Sequence, residues 1–231
     1  MINFKNVSKI YRTGLNDYPV LRNISIHIER GEYVLITGKS GSGKSTLLNI
    51  LTGVDGATSG DVFVNGTNIL QLNESQMTKW RGENIGLVFQ FFQLIPTLSV
   101  LENILLPMDL MEKIPKAQRE KKARDLLAMV NLSGHEEKMP PTLSGGEQQR
   151  VAIARSLAND VDIIIADEPT GNLDSKNADM VFDILDNLKK TGKTVIMVTH
   201  ERDVMKGATR KILLKDGEIQ EDYKLNGDVE S

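Results

Sequence analysis

The chain has 231 residues, of which 40% are hydrophobic and 26% charged, a balance suited to one large domain or two small ones rather than to disorder. It contains no cysteine, which excludes disulfides and thiolate metal or redox sites and fits a reducing compartment. Its formal net charge is −3, with 28 Lys+Arg against 31 Asp+Glu, so the basic surplus of a nucleic-acid binder is missing.

The opening stretch "MINFKNVSKIYRTG" alternates polar and apolar residues and lacks the long apolar run of a signal peptide. No run approaches the ~18 apolar residues that span a bilayer, so the chain is expected to be soluble and to reach a membrane only through another polypeptide. "MINFKNV" and "LRNISIHIE" read as strands, with Ile24, Ile26 and Ile28 at the two-residue period. "GEYVLITG" is a short strand ending in glycine, "STLLNILTGV" a buried helix, and "GDVFVNG" a hairpin strand. Segments 74–81 and 116–130 turn helical; in the second, Ala123, Leu126, Leu127 and Val130 share one face. The proline-bearing "LIPTLSVLENILLPMDL" between them reads as an unusually apolar connection. After Ser144 come a helix, the strand "DIIIAD", the helix "NADMVFDILDNLKK", the strand "TVIMVTH" and the hairpin "RKILLKDGEI". The polar tail beyond Glu221 is expected to fray. Strands alternating with helices imply a parallel sheet with helices on its faces.

Gly38-Lys39-Ser40-Gly41-Ser42-Gly43-Lys44-Ser45 fits the phosphate-loop pattern G-x-x-x-x-G-K-[ST] and lies between a strand and a helix, the context that gives the pattern meaning. Its glycines let backbone N–H groups turn inward as an anion nest at a helix N-terminus. Lys44 then reaches the β- and γ-phosphates of a nucleotide, and the Ser45 hydroxyl ligates Mg²⁺. Four apolar residues put Asp167 at the C-terminal edge of a buried strand, beside that loop, where an Asp holds Mg²⁺. Glu168 follows and is expected to point elsewhere, because consecutive strand residues face opposite sides; a carboxylate near the metal but not on it can accept a proton from an attacking water. Ser144-Gly145-Gly146 opens a second helix with its own free N–H groups, and Ser144 with Glu147 three residues on also makes a capping box.

These motifs, with "LSGGEQQRVAIARSL" ahead of the Asp-Glu strand, closely resemble the nucleotide-binding subunits of ABC transporters, in the family's order and from Tyr11 to Gly217. "GLVFQFFQLIPTLSVLENILLP" and "DEPTGNLDSKN" are similar to the lipoprotein-releasing and macrolide-export group. The resemblance implies an α/β fold: a P-loop NTPase core with a mixed, mainly parallel sheet, an N-terminal antiparallel β subdomain and an inserted α-helical subdomain. It implies one domain over residues 1–231, the core and antiparallel part at roughly 1–90 and 156–231 and the helical part at roughly 91–155. By the same resemblance Tyr11 stacks on adenine, residues Gly38 to Thr46 hold the phosphates, and Ser45, Gln90 and Asp167 hold Mg²⁺. Gln90 also contacts the attacking water, Glu168 is the general base, His200 contacts the γ-phosphate, and Asp174 communicates between subunits.

The second glycine turn lies in the helical segment, away from its own phosphate loop. The family arrangement is a head-to-tail homodimer in which Ser144, Gly145 and Gly146 of one chain close over ATP on the other. Segment 90–108 would pass motion to a membrane permease, with Leu94, Ile95, Pro96, Leu98 and Leu101 as docking groove or as core. Glu147, Lys39 and Glu201 replace the commoner Gln, Pro and Asp; none of these removes a catalytic group, so an active ATPase at the inner face of the cell membrane is expected. Rival readings are a non-transport ABC ATPase (an FtsE-like regulator or an iron–sulfur assembly ATPase) and a P-loop kinase or GTPase. The last would leave Ser-Gly-Gly unexplained and lacks a guanine-reading Asn-Lys-x-Asp.

Overall fold

Residues 1–14, 16–199 and 206–225 are described by a computed structural model of the chain. In chain order they form β1 (Ile2–Thr13), β2 (Asn16–Ile28), β3 (Tyr33–Thr37), α1 (Lys44–Leu51), β4 (Ser59–Val64), β5 (Thr67–Asn68), α2 (Glu74–Asn84) and β6 (Ile85–Val88). There follow α3 (Val100–Met111), α4 (Lys116–Met129), α5 (Gly145–Ser156), β7 (Ile163–Asp167), α6 (Ser175–Lys190), β8 (Thr194–Thr199), β9 (Arg210–Lys215) and β10 (Glu218–Lys224).

The strands make two sheets. One is antiparallel, in the order β2-β1-β4-β5; the other has the order β10-β9-β3-β8-β7-β6, parallel throughout except for the edge strand β10. Strands β3, β7 and β8 are buried on both faces, as a parallel sheet covered on both sides requires. Alternate residues feed two cores. Tyr33, Leu35, Ile164, Ala166, Val195 and Met197 pack against α3, α4, α5 and α6. Val34, Ile36, Ile163, Ile165, Ile196 and Val198 pack against α1 and the antiparallel sheet. The α/β class with a mixed, mainly parallel sheet and an N-terminal antiparallel part is therefore what the chain adopts.

Three expectations change. The apolar stretch after Pro96 is not a connection: residues Val100–Met111 form α3, even with Pro107 inside it. Its start is fixed by a capping box between Ser99 and Glu102, and Val100, Leu101, Ile104 and Met108 bury one face of it. Strand β10 runs on to Lys224, so residues 222–224, expected to fray, are paired; Asp222 accepts both arms of the Arg210 guanidinium at 2.6 and 2.7 Å, and the expectation for residues 226–231 lies outside the described residues. The short strand β6, unread in the sequence, closes the far edge beside β7.

Register places the site. Thr37 pairs with Thr199 and Asp167 with Val198, while Val88 pairs with Ala166. The strand ends that precede the phosphate loop, the Asp-Glu pair and Gln90 therefore share one edge, the carboxyl edge where open α/β sheets bind ligands.

Candidate functional site

The phosphate loop leaves β3 at Thr37 and ends where Lys44 begins α1. Gly43 caps that helix at φ 102°, and a Cβ there would lie 2.7 Å from Leu21 Cδ2 and 2.9 Å from the Val20 carbonyl. A Cβ on Gly38 would meet the Leu214 carbonyl at 2.2 Å, so the loop is pressed against β2 and β9 in a way only glycine allows. Among the described residues no side chain caps α1, and the buried Ser42 Oγ has no hydrogen-bond partner there. Both observations fit a loop whose donors serve an anion. Lys44 is buried, its ammonium donating to the carbonyls of Gly38 (2.8 Å) and Lys39 (3.0 Å). Lys39, Ser40, Gly41 and Ser45 are exposed and Thr46 is half-buried. Lys39, where the commoner residue is Pro, is thus open to solvent.

Asp167 ends β7, half-buried. Desolvation raises its carboxyl above the usual carboxylate range, Glu168 adds to the rise, and the Lys44 charge works against it. An Asp in that setting gains from a cation, and with the Ser45 hydroxyl it could hold a divalent ion on phosphate oxygens. Glu168 does not continue the strand on which the expected alternation rests. It lies beyond the strand, in the left-handed region at φ 46°, its N–H donating to the Val198 carbonyl at 2.9 Å. A turn, rather than a continuing strand, sets where the Glu168 side chain leaves the backbone.

Gln90 follows β6 by two residues and lies beside the loop after Glu168. A Cβ on Gly171 would come within 2.8 Å of Gln90 Nε2, and Asn172 Nδ2 donates to the Gln90 carbonyl at 3.3 Å. The residues on either side of Gln90 are gripped by α5. Gln149 Nε2 donates to the Phe89 carbonyl (3.2 Å), and Arg155 donates to those of Phe92 (2.9 Å) and Gln93 (2.6 Å), where the backbone runs at positive φ. Burial pushes the Arg155 guanidinium below its ordinary range. In the segment proposed for docking, Leu101 belongs to the core and Leu94 packs against it. Pro96 is exposed, Ile95 and Leu98 are half-buried, and Phe91 is 71% exposed.

Tyr11, on β1, is held by residues the sequence reading missed. Its hydroxyl donates to Asp55 Oδ2 at 2.6 Å, and Lys9 pairs with Asp55 Oδ1 at 2.6 Å while its ammonium lies 4.7 Å from the Tyr11 ring centroid. The bond to Asp55 raises the phenol. Lys9 and Tyr11 sit two apart on one strand, the same face by the pleat, and that spacing was the available signal.

Ser144 is exposed and caps α5 in a capping box with Glu147, as its sequence indicated. A Cβ on Gly146 would meet Asn177 Oδ1 at 2.0 Å. Asn177 in turn donates to Asp174 at 2.9 Å from its backbone and 2.7 Å from its side chain, so the α5 tip and the loop before α6 pack without a gap. Helix α5 packs on α3, α4, α6 and β6. His200 lies outside the described residues.

A glycine-lined anion loop with its lysine, and a carboxylate pair at the neighbouring strand end, define a P-loop nucleoside triphosphatase. A model of the ABC transporter family matches residues 21–171. An uncharacterized ABC transporter ATP-binding protein of Methanocaldococcus jannaschii is 51% identical over 96% of this chain and 98% of its own. The lipoprotein-releasing system ATP-binding protein LolD of Aquifex aeolicus is 44% identical over 93% and 94%. The macrolide export ATP-binding/permease protein MacB of Mannheimia succiniciproducens is 43% identical over 96% of this chain but only 34% of its own length. Among solved structures, the dimeric post-hydrolysis state of the ATP-binding cassette MJ0796 bound to ADP and Pi superposes with a TM-score of 0.90 at 43% identity, covering 99% and 100%. The chain belongs to the ABC transporter family, as an ATP-binding subunit that hydrolyses ATP.

Proposed function

We propose that two copies of this chain sandwich two ATP molecules and drive a separate membrane permease of the export or lipoprotein-extraction type. The observation that carries this reading is the pairing, in one chain, of a phosphate loop on the sheet edge with an exposed, glycine-opened helix tip at Ser144. The dimeric form of the MJ0796 cassette and the LolD and MacB names of close relatives support it. Among the described residues no helix is long and apolar enough to cross a membrane, so attachment at the inner face of the cell membrane would come through the permease.

In this reading Tyr11 stacks on adenine, while residues Gly38 to Thr46, Lys44 foremost, hold the phosphates. Mg²⁺, held by Ser45, Gln90 and Asp167, would neutralise phosphate charge when bound. Ser144, Gly145 and Gly146 of the second chain close over the γ-phosphate by N–H and hydroxyl donation. Glu168, aimed by its left-handed turn, accepts the proton of the attacking water, with Gln90 and His200 orienting that water. Loss of the γ-phosphate removes the attraction between the chains. The helical part, roughly residues 91–155, carries the movement to the permease.

Glu168→Gln tests the scheme. It should slow hydrolysis by about a hundredfold or more while leaving nucleotide bound, and ATP should then convert monomer to dimer on a sizing column. A variant that binds ATP yet stays monomeric would sink the two-chain site.

A further inference from the structure

The Ser144 hydroxyl has one proton to donate, and in this chain it donates it to Glu147 Oε2 at 2.7 Å. The Ser144 backbone N–H points to the same oxygen, also at 2.7 Å. The second carboxylate oxygen, Oε1, lies 3.1 Å from Nε2 of His135, which comes from the segment between α4 and α5 and not from the cap itself. The other ring nitrogen, Nδ1, faces the Ser133 carbonyl at 3.4 Å. Both ring nitrogens thus face oxygen atoms. The bonds from Ser144 first, and His135 after them, pull the Glu147 carboxyl down to about 2.

A capping box needs only an acceptor at this position, and glutamine supplies one as well as glutamate. The carboxylate adds two things. Its bond to the hydroxyl is stronger than that of a neutral amide, and it sets a negative charge beside the serine that must meet a phosphate. The two claims on Ser144 exclude each other, because one hydroxyl proton cannot serve the carboxylate and a γ-phosphate together.

We propose that Glu147, braced by His135, is a positioning residue that holds the Ser144 hydroxyl in reserve and sets the ATP concentration at which the two-chain site closes. The proposal rests on the two-chain reading above. Glu147 opposes closure by competing for the serine proton. His135 favours closure by bonding Oε1, which takes up part of the carboxylate's acceptor strength and so weakens its hold on the Ser144 proton.

The test uses the full-length chain carrying Glu168→Gln, with dimer fraction followed against ATP concentration by analytical ultracentrifugation. Adding Glu147→Gln should lower the half-saturating ATP about fivefold, the size of a modest surface charge effect, with thermal stability unchanged because the cap persists. His135→Ala should raise it about two- to threefold, and His135→Lys should restore it. In the Glu147→Gln background, His135→Ala should change nothing further. The proposal is overturned if Glu147→Gln leaves the ATP requirement the same or higher, or if the His135→Ala effect survives without the carboxylate. Should Glu147→Gln lose stability, the contrast of His135→Ala with His135→Lys decides alone. If the Glu168→Gln parent binds ATP but never dimerises, the two-chain reading falls and takes this one with it. Dimerisation that is indifferent to Glu147 sinks only the present proposal.

Discussion

Glu168 occupies a backbone region that costs a non-glycine residue on the order of 1–3 kcal/mol, and the hydrogen bond from its N–H to Val198 helps hold it there. That conformation, and not a continuing strand, fixes the backbone from which the Glu168 side chain leaves. Tyr11 shows the same economy. Burial alone would push Asp55 up, yet the bonds from Lys9, Tyr11 and Gly56 together bring it below the ordinary carboxylate range, so it stays charged and keeps both partners. If Tyr11 is the adenine platform, Asp55 is what fixes the ring. Asp55→Ala is expected to weaken binding of a fluorescent ATP analogue about three- to tenfold while kcat stays within about twofold, the pattern of a lost ground-state contact. An unchanged affinity in that titration would detach Asp55 from the nucleotide.

At the scale of elements, what could be read from the sequence was what period and motif carry. The strand Ile163–Asp167, the helix face of Ala123, Leu126 and Leu127, and the phosphate loop all stand where pattern put them. Helix α3 was missed because two prolines and near-continuous apolarity hide a period, although the Ser99–Glu102 box was a legible start. Strand β6 was missed because four residues are too few to show one. The contacts that shape the site were illegible for another reason: Asp55 on Tyr11 and Arg155 on Phe92 join residues 44 and 63 positions apart. Asn103 is the buried counterpart. Its side chain donates to the carbonyls of Ile95 (3.1 Å), Leu98 (3.0 Å) and Ser99 (2.9 Å) and accepts from the Ile95 N–H (2.8 Å), folding the segment after Gln93 onto α3. Asn103→Ala takes the partner from the Ile95 N–H and the Leu98 carbonyl and should cost about 2–3 kcal/mol in urea denaturation. A loss under about 0.5 kcal/mol would mean that the segment has other support.

For the whole molecule, the two-chain site makes a prediction that no single chain can satisfy. Lys44→Ala should abolish ATPase activity through the phosphate loop, and Ser144→Arg should abolish it through the opposite face while nucleotide still binds. Mixing the two variants should restore roughly a quarter of the activity, since half the dimers pair unlike chains and each of those has one intact site. No recovery in the mixture, with both variants folded, would count against sites shared between chains. Within each chain, α5 ties the two halves together. One end is Ser144, and the body grips the carbonyls of Phe89, Phe92 and Gln93 next to Gln90. Twelve helical residues make a rod about 18 Å long. Pivoted near Arg155, such a rod needs to tilt only about 10° to carry its tip about 3 Å, the length of one hydrogen bond. In the two-chain reading, a small displacement of Gln90 by the chain's own nucleotide would be amplified into making or breaking contact with the neighbour's. Helix α5 is the lever arm by which each chain would report its own nucleotide state at a site it does not contain.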